Sequence, residues 1–289
     1  MTIITMNTTG TTITPETRLG SLAPGIDVCT FPHFDAVENM THFVTTRGEV
    51  QSENPFSTFN LGRHSGEELA AVIERRARLC DALGIAPGRL VQPRQVHGSE
   101  VLPVQPDYFS WDTERQAAYL AHADGVMTDM PGVCIAVSTA DCVPLLYCDT
   151  RRRVIAATHA GWRGTVGHIA ARTVEAMQRV YGSVPADISV VIGPSIGASA
   201  FEVGDEVVAE FAAAYPDRPE IILPRRGAAN RHHIDLWAAN RADLLAAAIP
   251  PARIAVAGIC TWQRNDLFFS SRRAGGRLFG RFVTGILLR

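Results

Sequence analysis

Three short stretches combine metal-ligating side chains with small neighbours: Gln95-Val96-His97-Gly98, Thr139-Ala140-Asp141-Cys142 and Thr158-His159-Ala160-Gly161. Each stands at the edge of a strand-like apolar segment, where a polar residue is normally bland. Two imidazoles and one thiolate form a donor set that zinc prefers, and three protein ligands leave a fourth tetrahedral position for water or substrate. His97, Cys142 and His159 are therefore candidate ligands of a catalytic centre. They lie 45 and 17 residues apart and match no short ligand motif such as HExxH or paired CxxC. By the residues alone the alternative stays open that the histidines are hydrogen-bonded structural groups and Cys142 a small buried hydrophobe.

The elements that must carry these residues are legible in the apolar pattern. Alternation and short runs predict strands at 42–46, 89–92, 100–104, 125–128, 133–138, 143–148, 154–158, 188–192, 253–257 and 277–287. Helical spacing appears at 67–83, where Leu69, Ile73, Ala77, Cys80 and Leu83 form one stripe and Gly84 the stop, and again at 166–181, 205–215 and 235–249. Strands outnumber helices and come in consecutive groups. The expected class is α/β of a mixed α+β kind: one domain over residues 26–289, its mixed sheets packed against helices. Residues 1–25 are Thr-rich and poor in large apolar groups, so a disordered tail is expected there.

The chain of 289 residues, 46% hydrophobic and 19% charged, can bury a large core without disulfides. Its six cysteines read as reduced thiols, any exception being a ligand or nucleophile. A formal net charge of −2 gives no footprint for a nucleic-acid backbone or an anionic membrane. The N-terminal stretch lacks the basic and apolar regions of a secretory signal, and a cytoplasmic protein is expected.

Six motifs in one order, QVHG, ADGVMTD, STADCVPLLYCD, HAGWRGT, IGPSIG and FFSSRR, resemble the laccase-domain family, also called the polyphenol oxidase family. The resemblance runs from about Thr41 to the C-terminus. It implies a zinc-dependent purine nucleoside phosphorylase that also deaminates adenosine, with one zinc on His97, Cys142 and His159. The implied partners are purine nucleosides (adenosine, inosine, guanosine, methylthioadenosine) and phosphate, as a monomer or a homodimer. The fold has been likened to the bacterial toxin deamidase-like cysteine hydrolases. Three motifs depart from the family pattern: VTTRGEV stands for FTTRxGG, TFNLG for SLNLG, and FFSSRR for FFSYRR, which removes an aromatic at Ser271.

A zinc ion with one thiolate and two neutral imidazoles carries a net +1 charge, suited to holding an anion or acidifying a water. Phosphorolysis also needs cations for phosphate, and a guanidinium offers a bidentate fork. Arg47 and Arg163 are the first candidates, with Arg272 and Arg273 behind them, although Arg163 could instead pin its turn. Asn60 is a candidate sugar or base contact or else an Asx turn. Deamination needs a proton-shuttling group, and Asp141 beside Cys142 is the candidate, with ligand orientation or loop capping as its alternative. Trp162 suits purine stacking or loop packing; His64 is placed near the site without a role. Three rival readings remain. Cys142 activated by His97 or His159 would make a cysteine hydrolase or amidase acting on peptidoglycan peptides. Copper would make a phenol oxidase, although the nine histidines contain no HxH pair. A fourth protein ligand would make a closed structural site, but Cys148 stands roughly 20 Å along the strand from Cys142.

Overall fold

Period-two alternation with apolar residues on both faces produces strands buried on both sides, and two sheets use it here. The computed structural model describes residues 11–51, 53–226 and 231–289. Among them, a seven-stranded sheet runs in the order Thr11–Thr14, Thr17–Ala23, Ile26–Thr30, Met40–Thr45, Phe282–Leu288, Cys134–Thr139 and Leu90–Val91. A six-stranded sheet runs Ile254–Val256, Ile188–Ile192, Val143–Asp149, Val154–Ala160, Gly125–Thr128 and Val101–Pro103. A third, three-stranded sheet joins Glu202–Val203, Arg231–Ile234 and Ile222–Arg226. Both large sheets are mixed: pairing is antiparallel except for the three short strands beginning at Leu90, Val101 and Ile254.

Side-chain parity stacks the layers. Val143, Leu145 and Tyr147 join Ile188, Val190 and Ile192 on one face of the six-stranded sheet, under the helices Ile169–Tyr181 and Leu236–Ala246. Leu146 and Cys148, one residue out of phase, face the other way and meet Ile135, Val137, Phe282 and Ile286 of the seven-stranded sheet. The far face of that sheet, with Phe43, Ala136 and Val283, is covered by the helix Leu69–Leu83. The result is helix, sheet, sheet, helix, a mixed α/β arrangement with two sheets face to face.

Four expectations need correction. Residues Thr11–Thr14 and Thr17–Ala23 form an antiparallel hairpin where a disordered tail was expected; residues 1–10 lie outside the described residues. β-branched threonines suit strands, and the Thr14 and Thr17 hydroxyls both donate to the Ala257 carbonyl. The first helix buries Cys80 and Leu83 of the expected stripe but otherwise Val72, Arg76 and Leu79, and Leu69 and Ile73 are each 49% exposed. The helix predicted over 166–181 begins only at Ile169 and runs to Tyr181, set off from a short helix Trp162–Val166 by His168 (φ 57°), whose ring meets Asp243 at 2.9 Å. The long C-terminal strand expected from 277 begins only at Phe282, after a short helix Ser271–Ala274 that ends in left-handed Gly275 and Gly276.

One buried histidine far from the candidate ligands makes folding pH-dependent. His42, 6% exposed, accepts the Phe31 amide N–H at Nε2 (2.8 Å) and stacks on the Phe31 ring. Burial pushes its pKa down to about 4, although Asp35 nearby works the other way. The unfolded chain therefore takes up this proton first as pH falls, so the stabilisation is complete above about pH 6.5 and lost on the way to about pH 4. The loss is about 3 kcal/mol. Urea unfolding at pH 7 and pH 4 should show a steeper decline for wild type than for His42→Gln, which keeps an acceptor for Phe31 and cannot titrate.

Candidate metal centre and cavity

The three candidate ligands converge. One ligand atom from each of His97, Cys142 and His159 lies within 4.8 Å of the others, and the two imidazole rings meet edge to face at 4.9 Å between centroids. His159 occupies the next-to-last position of the strand Val154–Ala160, opposite Pro144, and Cys142 immediately precedes the strand Val143–Asp149 with which it pairs. His97 comes from the loop after Leu90–Val91 and has a left-handed backbone (φ 63°), as does Gln95 (φ 62°). Such conformations cost a non-glycine residue about 1 kcal/mol or more and persist only when surroundings impose them.

The surroundings are explicit. Gln95 docks on the edge of the neighbouring strand: its side-chain amide donates to the Ser138 carbonyl (2.7 Å) and its Oε1 accepts the Ser138 N–H (2.8 Å). Asp124, fully buried, accepts the backbone N–H groups of Val96, His97 and Gly98 at 3.0, 3.0 and 2.7 Å. The same carboxylate lies 2.8 Å from His159 Nδ1, which leaves Nε2 as the nitrogen free to ligate. Burial raises the Asp124 pKa, but the His159 ring and the Gly98 and Val96 amides outweigh it and hold the carboxyl below its ordinary value. Burial likewise pushes the Cys142 thiol up, yet the two imidazoles prevail and lower it; His159 is raised in turn by the Cys142 sulfur and by Asp124 against its own burial.

These residues fit a metal ion. Two imidazoles and a thiol inclined to ionise form a borderline-soft donor set, and Asp124 orients one imidazole as ligating histidines require. Gly161 closes the cradle: a Cβ there would stand 2.8 Å from the His97 ring, 3.4 Å from the Cys142 sulfur and 3.6 Å from the His159 ring. Among the described residues this is the one group of three or more potential ligands so clustered, and no helix is long and apolar enough to cross a membrane.

The group opens onto a cavity of about 1400 Å³. Leu69, Ile73 and Ala77 line its far side, which explains their exposure on the first helix. Arg272 lines it too, with Nη1 donating to the Ala200 carbonyl (3.2 Å) and its guanidinium 5.4 Å from the Phe201 ring centroid. Ser271, where the family commonly has tyrosine, is also on this wall.

Other expected site residues stand elsewhere. Arg47 is buried off the cavity, donating to Ser57 Oγ and the Asn265 carbonyl and lying over the Phe269 ring. Arg273 donates to the Trp262 carbonyl, and Arg163 folds over Trp162 at 4.2 Å; neither lines the cavity. Asn60 is fully buried and its side chain is engaged within the fold, accepting the Gly62 and Arg281 amides and donating to Ser65 and Glu67. Its Asx-turn alternative is the one these bonds match. Asp141 touches the cavity, but its carboxylate already accepts the Thr261 hydroxyl (2.7 Å), the Ser270 hydroxyl (3.0 Å) and the Arg272 amide (2.6 Å). That pattern ties the segment at 270–272 to the ligand loop. Sequence reasoning passed over Asp124, although it opens the quoted ADGVMTD motif, and passed over Gln95 beside His97. It also passed over Arg63, Arg94 and Arg281 on the cavity wall, which carry no local signal.

A mixed α/β sandwich with a His/Cys/His group at strand edges, opening on a cavity, is the architecture of a small-molecule enzyme whose site could hold a metal ion. The chain belongs to the multi-copper polyphenol oxidoreductase laccase family, whose model matches residues 41–289. It is 38% identical over 258 residues to a protein of Bacteroides thetaiotaomicron named purine nucleoside phosphorylase, covering 89% of this chain and 95% of that one. It is 41% identical over 251 residues to adenosine deaminase RL5 of an unknown prokaryotic organism, covering 87% and 95%. The crystal structure of YlmD from Geobacillus stearothermophilus superposes with a TM-score of 0.79 at 35% identity, over 92% of this chain and 96% of that one.

Proposed function

We propose that this chain is a purine nucleoside phosphorylase with a second, adenosine-deaminating activity, working at one zinc ion held by His97, Cys142 and His159. The observation that carries the reading is the juxtaposition of that ligand group with a cavity large enough for a nucleoside and a second substrate. The names of the relatives point the same way. When bound, zinc would supply a +1 Lewis-acid centre for negative charge developing on the departing base or on an attacking water. The protein's own residues do the positioning. Asp124 fixes the His159 ring and the turn that presents His97, Gly161 keeps the approach clear, and Asp141 holds Arg272 against the cavity. In phosphorolysis the C1′–N9 bond breaks, a phosphate oxygen bonds to C1′, and the purine takes up a proton. The candidate nucleosides are adenosine, inosine, guanosine and methylthioadenosine, and the setting proposed is cytoplasmic, with residues 26–289 acting as one catalytic domain.

Protein with quantified metal, incubated with adenosine, should release adenine and ribose 1-phosphate only when phosphate is present, and inosine in either buffer. Chelation should remove both activities and zinc should restore them. Zinc-loaded protein that leaves every nucleoside unchanged would sink the reading.

One geometric feature favours a second reading, a cysteine hydrolase of the toxin deamidase-like kind acting on peptidoglycan peptides. The sulfur of Cys142, the ring of His159 and the carboxylate of Asp124 form a chain of nucleophile, base and orienting group. Iodoacetamide labelling of Cys142 separates the two: a metal-held thiolate is protected until a chelator is added, whereas a free nucleophile reacts at once. Copper in the same three ligands would be the third reading, marked by a strong thiolate-to-copper colour.

A further inference from the structure

The wall of the cavity beside the ligand group is strongly cationic, with Arg63, Arg76, Arg94, Arg272 and Arg281 among its lining residues. Ion-paired arginines such as Arg18 with Asp35, Arg75 with Glu67 and Arg264 with Asp266, each at 2.7 Å, stand off this lining. Arg63, Arg94 and Arg281 line the cavity, and none of them forms an ion pair among the described residues. The nearest carboxylate along the loop, Glu67, is occupied by both guanidinium nitrogens of Arg75 and by the Asn60 amide.

The fold builds this cluster deliberately close. Asn60 Oδ1 accepts the backbone N–H groups of both Gly62 and Arg281, clamping the loop that carries Arg63 and His64 onto the start of the last strand. Leu61 N–H donates to the Arg281 carbonyl at 3.0 Å. At Gly62 any Cβ would stand 2.9 Å from the Arg281 Cβ, so only glycine lets the two backbones approach this far. Arg281 is half-buried and its Nη1 donates to the His64 carbonyl at 3.3 Å. Arg76 stands behind Arg63, buried against the Leu61 carbonyl and Gln92. The like charges act on one another: burial lowers the His64 pKa, and Arg94, Arg281 and Arg63 lower it further, while the Cys142 sulfur is the anion Arg281 feels. Clustered cations beside a cavity and next to the candidate ligand group, with no carboxylate in ion-pair contact, select an anionic ligand, and a guanidinium fork suits tetrahedral oxyanions.

We propose that Arg63 and Arg281, brought together by Asn60, and Arg94 from the loop that carries His97 form the binding site for a phosphate dianion in this cavity, with free inorganic phosphate as its occupant. This deepens the phosphorylase reading and rests on it for the identity of the occupant; it moves the phosphate site away from Arg47, Arg163 and Arg273.

The test uses Arg281→Gln and the double variant Arg63→Ala/Arg94→Ala, each first checked for wild-type metal content and melting temperature. Calorimetric titration with inorganic phosphate, and separately with adenosine 5′-monophosphate, is run beside steady-state kinetics in which phosphate and adenosine are varied in turn. Both variants should bind inorganic phosphate at least about tenfold more weakly and raise the KM for phosphate by a similar factor, with the KM for adenosine changed less than about twofold. The wild-type phosphate affinity should also fall as salt rises. Unchanged phosphate binding and an unchanged phosphate KM in the variants would overturn the site while leaving the phosphorylase reading standing. Loss confined to the mononucleotide would overturn the assignment to free phosphate. If wild type binds phosphate, the variants lose it and no nucleoside is cleaved, the anion site holds and the reaction assigned to it falls.

Discussion

His159→Ala should leave the protein with little bound metal after dialysis and reduce adenosine turnover at least about a thousandfold. The expectation follows from the small size of the ligand group. On the proposed reading three side chains would hold the ion, so removing one would leave two, and even the hydrogen-bonding partners of ligands are worth about 10–100-fold in metal affinity. His159 is also the ring that burial and Asp124 have already oriented. The variant deletes a buried ring without touching the backbone bond between His159 N–H and the Asp124 carbonyl, and the fold should survive. Metal analysis by mass spectrometry together with the nucleoside assay checks both parts. A variant that keeps full metal and loses only activity would instead mark His159 as a base for Cys142 and favour the hydrolase reading.

Asp124→Ala should do damage on two levels at once. It removes the acceptor of three consecutive amides on partly exposed residues and of the buried His159 ring. Metal affinity should fall about 10–100-fold because the tautomer and aim of His159 are no longer set. Stability should fall as well, by about 1–3 kcal/mol, because the buried His159 ring loses its partner while the partly exposed amides can turn to water. For a chain of this size that corresponds to a fall in Tm of roughly 2–5 °C. Asp124→Asn, which retains the size and one acceptor oxygen, should recover part of the stability and less of the metal affinity. If Asp124→Ala melts like wild type and binds metal equally well, the anchoring of the His97 turn is assigned to the wrong residue.

Much of the fold was legible because its causes are local. The strands Gly125–Thr128 and Ile188–Ile192 fall on their predicted bounds, since apolar runs bounded by turn residues leave little choice. The misreadings have particular reasons. Leu69 and Ile73 obey helical spacing, but the sheet beneath meets the stripe one step over, at Val72, Arg76 and Leu79, and the cavity takes the other. The threonine-rich start looked too polar to order, yet hydroxyls reaching the Ala257 carbonyl, 243 and 240 positions away, hold the hairpin. The candidate ligands were nameable through the motifs that resemble a family, and spacing alone would have left them ambiguous.

By itself the sequence determined the alternating patterns, the turn residues and the chemical character of the site: a thiol and imidazoles at strand edges, and small residues beside them. Those properties act over a few positions and survive without knowledge of the fold. Which groups meet was decided only by tertiary structure. The register that pairs Thr158 with Gly125 sets Asp124 beside His159, and Asn60 brings Arg281 to Arg63 across 218 positions of chain. No local pattern encodes such contacts, because they depend on long-range strand pairing and the close packing of two sheets.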